Sequence, residues 1–366
     1  MRIGIDARLL AYRMGGISRY TWHLIQGFAA MATPHQFVVL QSRKQRSSLV
    51  EAPQVQTVSL WTPPHHRWEG WALSLELWPR RLHLLHSPDF IPPRYGSFRR
   101  VITVHDLNFL YYPEFLTAES ARYYGQIDRA VRQADHILAD SHATRRDLIE
   151  RLGVPPEKVT VVHLAADPRC RPLAPAQARA VADRYGLPEP FLLFVGTLEP
   201  RKNVPTLLEA IHRLRQTGLE VPLVLVGRRG WLYDEIFARL QALGLEGQVR
   251  FLEGVSDEDL VGLYNAARCL VLPSFYEGFG LPALEAMACG TPVVVSDRAS
   301  LPEVVGEAGL LVDPTSPEAL AEAIRRVWED ETLRRRMRRQ GLAQAARFSW
   351  ERVVRETLAV YEDVGR

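Results

Sequence analysis

Residues 273–290 are Pro-Ser-Phe-Tyr-Glu-Gly-Phe-Gly-Leu-Pro-Ala-Leu-Glu-Ala-Met-Ala-Cys-Gly, a strand exit, a glycine loop and a helix start in succession. The apolar run Cys269–Leu272 before it predicts a buried strand that enters a loop carrying Gly278 and Gly280. Pro282 suits the first turn of a helix, where a missing N–H is not needed. Gly290 suits the left-handed stop at the end of that helix. Strand, glycine loop and helix start, in that order, present free backbone N–H groups to an anion, here a diphosphate. Glu277 in the loop and Glu285 on the helix are two carboxylates suited to accepting hydrogen bonds from vicinal hydroxyls. An ordinary turn with solvated acids accounts for the same spacing.

A second segment repeats the arrangement. Phe191 to Asn203 is an apolar strand ending at Gly196, followed by a loop that delivers Arg201 and Lys202 into a helix. Only Lys44, Lys158 and Lys202 are lysines, so 45 − 3 = 42 basic residues are arginines. A GC-rich genome explains that bias, but it draws attention to each lysine, a compact point charge where arginine is a planar fork. Lys202 would neutralise a leaving diphosphate and Arg201 would grip it bidentately. A surface-charged helix start is the plain alternative, disfavoured because cations oppose the helix dipole there.

Outward from these segments, short apolar runs alternate with longer helical patterns, which predicts parallel sheets covered by helices. In the first half, strands are expected at Arg2–Ile5, Phe37–Leu40, Gln56–Leu60, Leu82–His86, Arg100–Thr103, His136–Ala139 and Val159–Val162. Helices are expected at Ser18–Met31, Ala118–Ala134 and His142–Leu152. A Pro-rich stretch from Asp167 to Pro190 reads as a linker. The rhythm then restarts at Phe191–Val195 and continues through Pro222–Val226, Val249–Leu252, Cys269–Leu272, Pro292–Ser296 and Gly309–Val312. The fold class is therefore α/β, two doubly wound Rossmann-like domains facing each other, with ligands off the carboxyl ends of the strands. Residues 1–170 form the first domain, 171–345 the second, and 346–366 a final helix.

At 366 residues the length suits two cores. The net charge of +3 is too small to argue for nucleic acid, and none is expected as a partner. Cys170, Cys269 and Cys289 are far apart and lack metal-ligand spacing, which fits a reduced, cytoplasmic compartment. Neither a signal peptide nor a membrane-spanning run is expected.

Three further places carry weaker signals. Gly15-Gly16-Ile17-Ser18 opens the first helix, without the Gly-x-Gly-x-x-Gly of dinucleotide binders or a Walker loop, which disfavours an NAD-dependent dehydrogenase. His105-Asp106 follows a strand, where a histidine either hydrogen-bonds a sugar or serves the structure. Asp257-Glu258-Asp259 has the spacing of metal-binding acids, but Ser256 before it and Leu260, Leu263 and Tyr264 after it read as a capped helix start. Trp61, Trp68, Trp71 and Trp78, with Arg67, Arg80 and Arg81, form an aromatic and basic stretch. Trp68, Trp71, Leu75 and Trp78 share one helical face. A core-facing helix is the expectation, and a membrane-leaning surface the alternative. Arg334–Arg336, Arg338 and Arg339 read as a solvated face.

Taken in order, these segments resemble the retaining glycosyltransferases of family four, which have the GT-B fold, nearly end to end. The most specific match is the pair of glutamates separated by seven residues, Glu277 and Glu285. Gly196 to Asn203 matches the family's diphosphate site, and Gly15-Gly16, His105-Asp106 and Ala139-Asp140-Ser141 sit where the family has them. Val104 to Asp167 looks most like the bacterial mannosyltransferase-type branch. The resemblance implies that Arg201 and Lys202 hold the diphosphate, Glu277 the donor sugar's hydroxyls and Glu285 the ribose hydroxyls. It implies a phosphate cradle of backbone N–H groups at Gly278, Phe279, Gly280 and Leu281, with Gly196 beside it. It also places Gly15 and Gly16 beside the phosphates, His105 near the transferred sugar, the base near Gly254 and Val255, and the last helix back on the first domain.

Glu277, His105, Arg201 and Lys202 are thus the catalytic candidates. The implied reaction moves a hexose, mannose from GDP-mannose in this branch, to a saccharide or lipid-linked acceptor in polysaccharide synthesis. It retains anomeric configuration and needs neither metal nor cofactor, the nucleotide sugar being a substrate. A UDP-hexose donor is the alternative, and a sugar-nucleotide 2-epimerase of the same fold a more distant one. A non-catalytic nucleotide-sugar binding module is disfavoured by the full set of charged residues. Peripheral contact with a membrane is compatible with a lipid-linked acceptor.

Overall fold

The computed structural model describes residues 1–366 apart from Arg13, Met14, Arg67, Trp231 and Leu232. The chain divides into two units, one formed by Met1–Leu164 with Ser349–Arg366 and the other by Ala165–Phe348.

In the first unit the strands are β1 (Arg2–Asp6), β2 (Gln36–Ser42), β3 (Val55–Leu60), β4 (Leu84–Ser87), β5 (Arg99–Val104), β6 (His136–Ala139) and β7 (Val159–Val161). They form one parallel sheet in the order β3-β2-β1-β4-β5-β6-β7. The chain winds outward from β1 in one direction, then restarts at β4 and winds the other way. Helices cover both faces, so Ile3, Ile5, Val39, Leu84 and Ile102 are buried and the strands read as apolar runs without strict alternation. Register sets Ile5 between Val39 and His86.

The final helix, Trp350–Val364, belongs to this unit. It packs on the helix Gly16–Ala30, where a Cβ on Gly27 would stand 2.2 Å from Val354 Cγ2, so only glycine permits the approach. Tyr361 donates its hydroxyl proton to His86 Nδ1 (2.6 Å), and Trp350 stacks on His23 at 4.4 Å. Burial holds His86 neutral, its pKa lowered to about 3, which makes it the acceptor this bond needs.

The second unit contains β8 (Leu192–Val195), β9 (Leu223–Val226), β10 (Val249–Leu252), β11 (Cys269–Leu272), β12 (Val293–Ser296) and β13 (Leu310–Val312). They too form a parallel sheet, in the order β10-β9-β8-β11-β12-β13. Here the winding reverses between β8 and β11. Every strand expected from the sequence falls on one of these thirteen elements.

The helices required more correction. Ala118–Ala134 is two helices, Ala118–Tyr124 and Ile127–Gln133, broken at Gly125, where glycine weakens a helix interior. The stretch Asp167–Pro190 is not all linker, because Pro175–Arg184 is helical with proline in its first turn and buries Ala178 and Ala182. Arg334 and Arg338 do more than face solvent: Arg334 donates to the carbonyls of Val327 and Trp328, and Arg338 to that of Gly290.

The tryptophan stripe is the largest revision. The helix Glu69–Leu77 buries Leu73 and Leu77 against Val38, Leu40, Val58 and Phe98. Trp68, Trp71, Leu75 and Trp78 are instead 55%, 44%, 77% and 80% exposed. The core side of this helix is taken by the slim leucines, with Gly70 and Ser74 between them, and the wide indoles lie outside. Arg67 of the same stretch lies outside the described residues.

Candidate active site

In open parallel sheets the ligand crevice lies off the carboxyl ends of the strands, where the winding reverses. In the second unit that point is between β8 and β11, and the two segments singled out from the sequence leave the sheet there. After β8 the chain turns through Gly196 into a short 3-10 helix, Pro200–Lys202. After β11 it runs through Ser274–Gly280 into the helix Leu281–Cys289. Gly280 has φ 92°, a left-handed conformation, and a Cβ there would stand 2.6 Å from Leu301 Cδ2. Glycine is required on both counts.

The loops are locked together by charge. Lys202 Nζ donates to Glu277 Oε1 at 2.6 Å, and Ser274 Oγ donates to the same oxygen at 2.7 Å. Arg201 Nη1 donates to Glu277 Oε2 (3.1 Å) and to the Tyr276 carbonyl (3.0 Å), while its Nε meets Glu199 Oε1 at 2.7 Å. Lys202, Glu199 and Glu277 are all buried. Burial alone would push the Glu277 carboxyl up, but Lys202 and Arg201 overcome it and hold its pKa down at about 2. Glu277 is therefore a carboxylate over the whole physiological range. A Cβ on Gly196 would stand 3.4 Å from Lys202 Cε, so the lysine stem lies along the bare glycine backbone.

The other candidates are placed as follows. Gly278, Phe279, Gly280 and Leu281 form the loop and first turn directly after Glu277, and Phe279 is buried edge-on to Phe348 (5.8 Å). Glu285 is buried on the same helix and accepts from the Tyr264 hydroxyl at 2.8 Å. Gly254 and Val255 follow β10 at the sheet's edge, Gly254 with φ 69° and open space where a Cβ would be. Asp257, Glu258 and Asp259 lie in the first turn of the helix Asp257–Ala266, capped by Ser256. Asp259 is bound by Arg184 and Tyr185, and Asp257 by Arg169.

Gly15, Gly16 and His105 belong to the first unit. Gly15 is the N-cap of the helix Gly16–Ala30, and a Cβ on Gly16 would meet nothing within 4 Å. His105 follows β5. Both ring nitrogens donate, Nδ1 to Asp140 Oδ2 (2.6 Å) and Nε2 to the Pro88 carbonyl (2.9 Å). Burial opposes its charge, but the Asp140 carboxylate outweighs burial and raises the pKa to about 9. The residue is an imidazolium held in place, not a free imidazole.

Several residues escaped sequence reasoning. Asn203 has a left-handed φ of 55° and spends its amide on the carbonyls of Pro273 (3.0 Å) and Pro314 (2.7 Å), fixing the turn that carries Lys202. Gly227 cannot bear a side chain, since a Cβ would lie 1.9 Å from the Gly196 carbonyl oxygen.

In the first unit, a narrow crevice at the β1–β4 reversal is lined by Asp6, Arg8, Thr21, His65, Glu69 and Asp89. Arg8, 1% exposed, donates to Asp6 Oδ2 (2.6 Å), Glu69 Oε1 (2.5 Å) and the Thr62 carbonyl (2.9 Å). His65, in a left-handed conformation, meets Asp89 Oδ2 at 2.7 Å, and Tyr123 donates to the other oxygen of Asp89. Partners 61 positions apart leave no spacing to read. The only local signal is Asp6-Ala-Arg8 at a strand's carboxyl end.

Comparison with known proteins identifies the family and the fold. Residues 14–169 match the family model described as Glycosyltransferase Family 4, and residues 183–344 match Glycosyl transferases group 1. The chain is 34% identical to O-antigen chain mannosyltransferase B of Escherichia coli, over 99% of this chain and 100% of that one. Among solved structures, sucrose-phosphate synthase from Thermosynechococcus elongatus superposes with a TM-score of 0.80 at 24% identity, covering 100% and 99% of the two chains. Anabaena HepE in complex with UDP-glucose gives 0.78 at 20% identity, covering 99% and 100%.

Proposed function

The chain belongs to the glycosyltransferases of family 4, with the GT-B fold, and we propose that it transfers mannose from GDP-mannose. The acceptor is a saccharide or lipid-linked saccharide of a growing bacterial polysaccharide. Configuration at the anomeric carbon is retained, and no metal is needed.

The observation that carries this reading is the Lys202–Glu277–Arg201 cluster at the β8–β11 reversal. A nucleoside diphosphate leaves from an oxocarbenium-like centre, so stabilising its charge is the main task. Lys202 commits one of its three ammonium protons to Glu277, and the other two have no bond among the described residues. Those two N–H donors, the Arg201 guanidinium and the N-terminus of the helix Leu281–Cys289 supply the positive field a metal would otherwise supply. Glu277, ionised and anchored by Ser274, offers acceptor lone pairs to the hydroxyls of the donor sugar. Glu285 does so for the ribose, oriented by Tyr264, and the base rests near Gly254 and Val255. In the first unit, Gly16 has open space where a Cβ would stand, and His105 is held as an imidazolium.

The acceptor takes the crevice of Asp6, His65, Glu69 and Asp89, where His65 Nδ1 has no partner among the described residues. The likeness to a mannosyltransferase over the whole chain supports mannose and, with it, GDP. A reduced, cytoplasmic setting fits the thiols of Cys170, Cys269 and Cys289, of which Cys170 lies against Cys289. Among the described residues, no helix is long and apolar enough to cross a membrane.

The test is transfer to octyl α-mannoside from GDP-mannose, UDP-glucose or UDP-galactose, with EDTA present, followed by NMR of the new anomeric proton. An α-mannoside formed only from GDP-mannose is expected. Transfer from a UDP-hexose alone would overturn the donor, a β-product would overturn retention, and activity abolished by EDTA would overturn metal independence.

A further inference from the structure

Nine large hydrophobic side chains are exposed among the described residues, and six of them, Trp61, Trp68, Trp71, Leu75, Trp78 and Tyr95, come from one small part of the first unit. Soluble surfaces scatter such residues singly, and clustering them signals an interaction. The surface is built rather than loose. Glu76 accepts from the backbone N–H groups of Trp61 (2.7 Å) and Thr62 (3.0 Å), tying that loop to the helix Glu69–Leu77. On its other flank, Arg94 N donates to the Gly70 carbonyl, Tyr95 N is bound to Ser74 Oγ, and the Tyr95 ring lies 5.1 Å from Trp71.

The rim is basic. Arg43 lies over Trp61 with Cζ 4.1 Å from the ring centroid, Arg94 over Trp71 at 5.1 Å, and Lys44 over Tyr12 at 4.3 Å. Arg80 and Arg81 follow Trp78 directly. The acids of the helix do not offset these cations at the surface, because Glu69 is committed to Arg8 within the crevice and Glu76 to backbone amides.

We propose that this face docks the protein onto an anionic lipid surface. Exposed indoles set among arginines match the boundary between headgroups and acyl chains. The phosphates there complement the arginine rim. A second copy of the chain fits poorly, since a two-fold contact sets the same patch against itself and would bring arginine against arginine. The same helix turns Glu69 into the acceptor crevice and its tryptophans outward, so docking would present a lipid-linked sugar to that crevice. The docking surface does not depend on the donor assignment, and its test uses no donor.

The test is co-sedimentation of the full chain with phosphatidylethanolamine–phosphatidylglycerol vesicles and with phosphatidylcholine vesicles. Binding to the first at least about tenfold tighter than to the second is expected, weakening with salt. Leu75→Ser with Trp78→Ser, and separately Arg43→Glu with Arg81→Glu, should each lower vesicle affinity by about tenfold or more. All four side chains are outside the core, so thermal unfolding should match the unaltered protein. The proposal fails if no vesicle is bound or if neither pair of substitutions weakens binding. It also fails if the unaltered protein sediments as a dimer that Leu75→Ser with Trp78→Ser dissociates, which would make the face a self-contact.

Discussion

Replacing Glu277 by Gln removes one negative charge from a buried cluster and little else, since the amide is nearly isosteric. The magnitude follows by two routes. The carboxyl is held at a pKa of about 2 against an ordinary 4.5, which corresponds to roughly 3 kcal/mol of preferential stabilisation of the carboxylate. Independently, removing one partner of a buried ion pair costs about 3–5 kcal/mol, because Lys202, 6% exposed, is left unpaired. For a unit of this size that lowers Tm by about 6–20 °C.

The sign with pH follows from the depressed pKa. The contribution is fully present above the unfolded value of 4.5 and disappears as pH falls through about 2. Glu277→Gln should therefore be markedly less stable than the unaltered protein in calorimetry near neutral pH, with the gap closing below pH 4.5. Adding Lys202→Met should recover part of the stability without recovering transfer, because the orphaned cation is gone. A Tm change under about 2 °C near neutral pH, or a deficit that persists unchanged into acid, would mean that Glu277 does not offset the buried Lys202 charge.

Other consequences can be checked alongside. Gly280→Ala should cost about 1–3 kcal/mol in urea unfolding, since it places a Cβ on a left-handed residue against Leu301. The His105–Asp140 pair, with the histidine raised to about 9, contributes fully below pH 6.5 and fades as pH rises through 9. In Asp140→Asn that alkaline loss should vanish from the stability profile. Tyr361→Phe leaves His86 Nδ1 without its donor in a buried site, and should cost about 1–3 kcal/mol, visible as faster proteolytic release of the last helix. Lys202→Ala should lower kcat by about 100- to 1000-fold with GDP-mannose, and an unchanged rate would remove Lys202 from the leaving-group site.

Much of the fold was legible because the strands are buried on both faces and stand out as short apolar runs such as Phe191–Val195 and Val293–Val295. The loops at the β8–β11 reversal were legible because their glycines and charges lie within a few residues of strand ends. What was not legible depends on distance in the sequence or on direction in space. The charge on His105 is decided by Asp140, 35 positions later, and the crevice of Asp6, Arg8, His65, Glu69 and Asp89 is assembled from three separate stretches of the chain. The helix Pro175–Arg184 was hidden by prolines that start it or lie beyond it. Spacing placed Trp68, Trp71, Leu75 and Trp78 on one helical face. It could not say that the sheet would take Leu73 and Leu77 instead, since both sets are apolar at helical intervals.

The central claim is that a nucleoside-diphosphate sugar binds at the β8–β11 reversal through Arg201, Lys202 and Glu277. Isothermal calorimetry with GDP, UDP and ADP in EDTA tests it most directly, on the unaltered protein and on Lys202→Ala. GDP should bind most tightly of the three, unaffected by the chelator, and binding should be lost in Lys202→Ala. Absence of binding by any of the three at millimolar concentration, or GDP binding undiminished in Lys202→Ala, would contradict it.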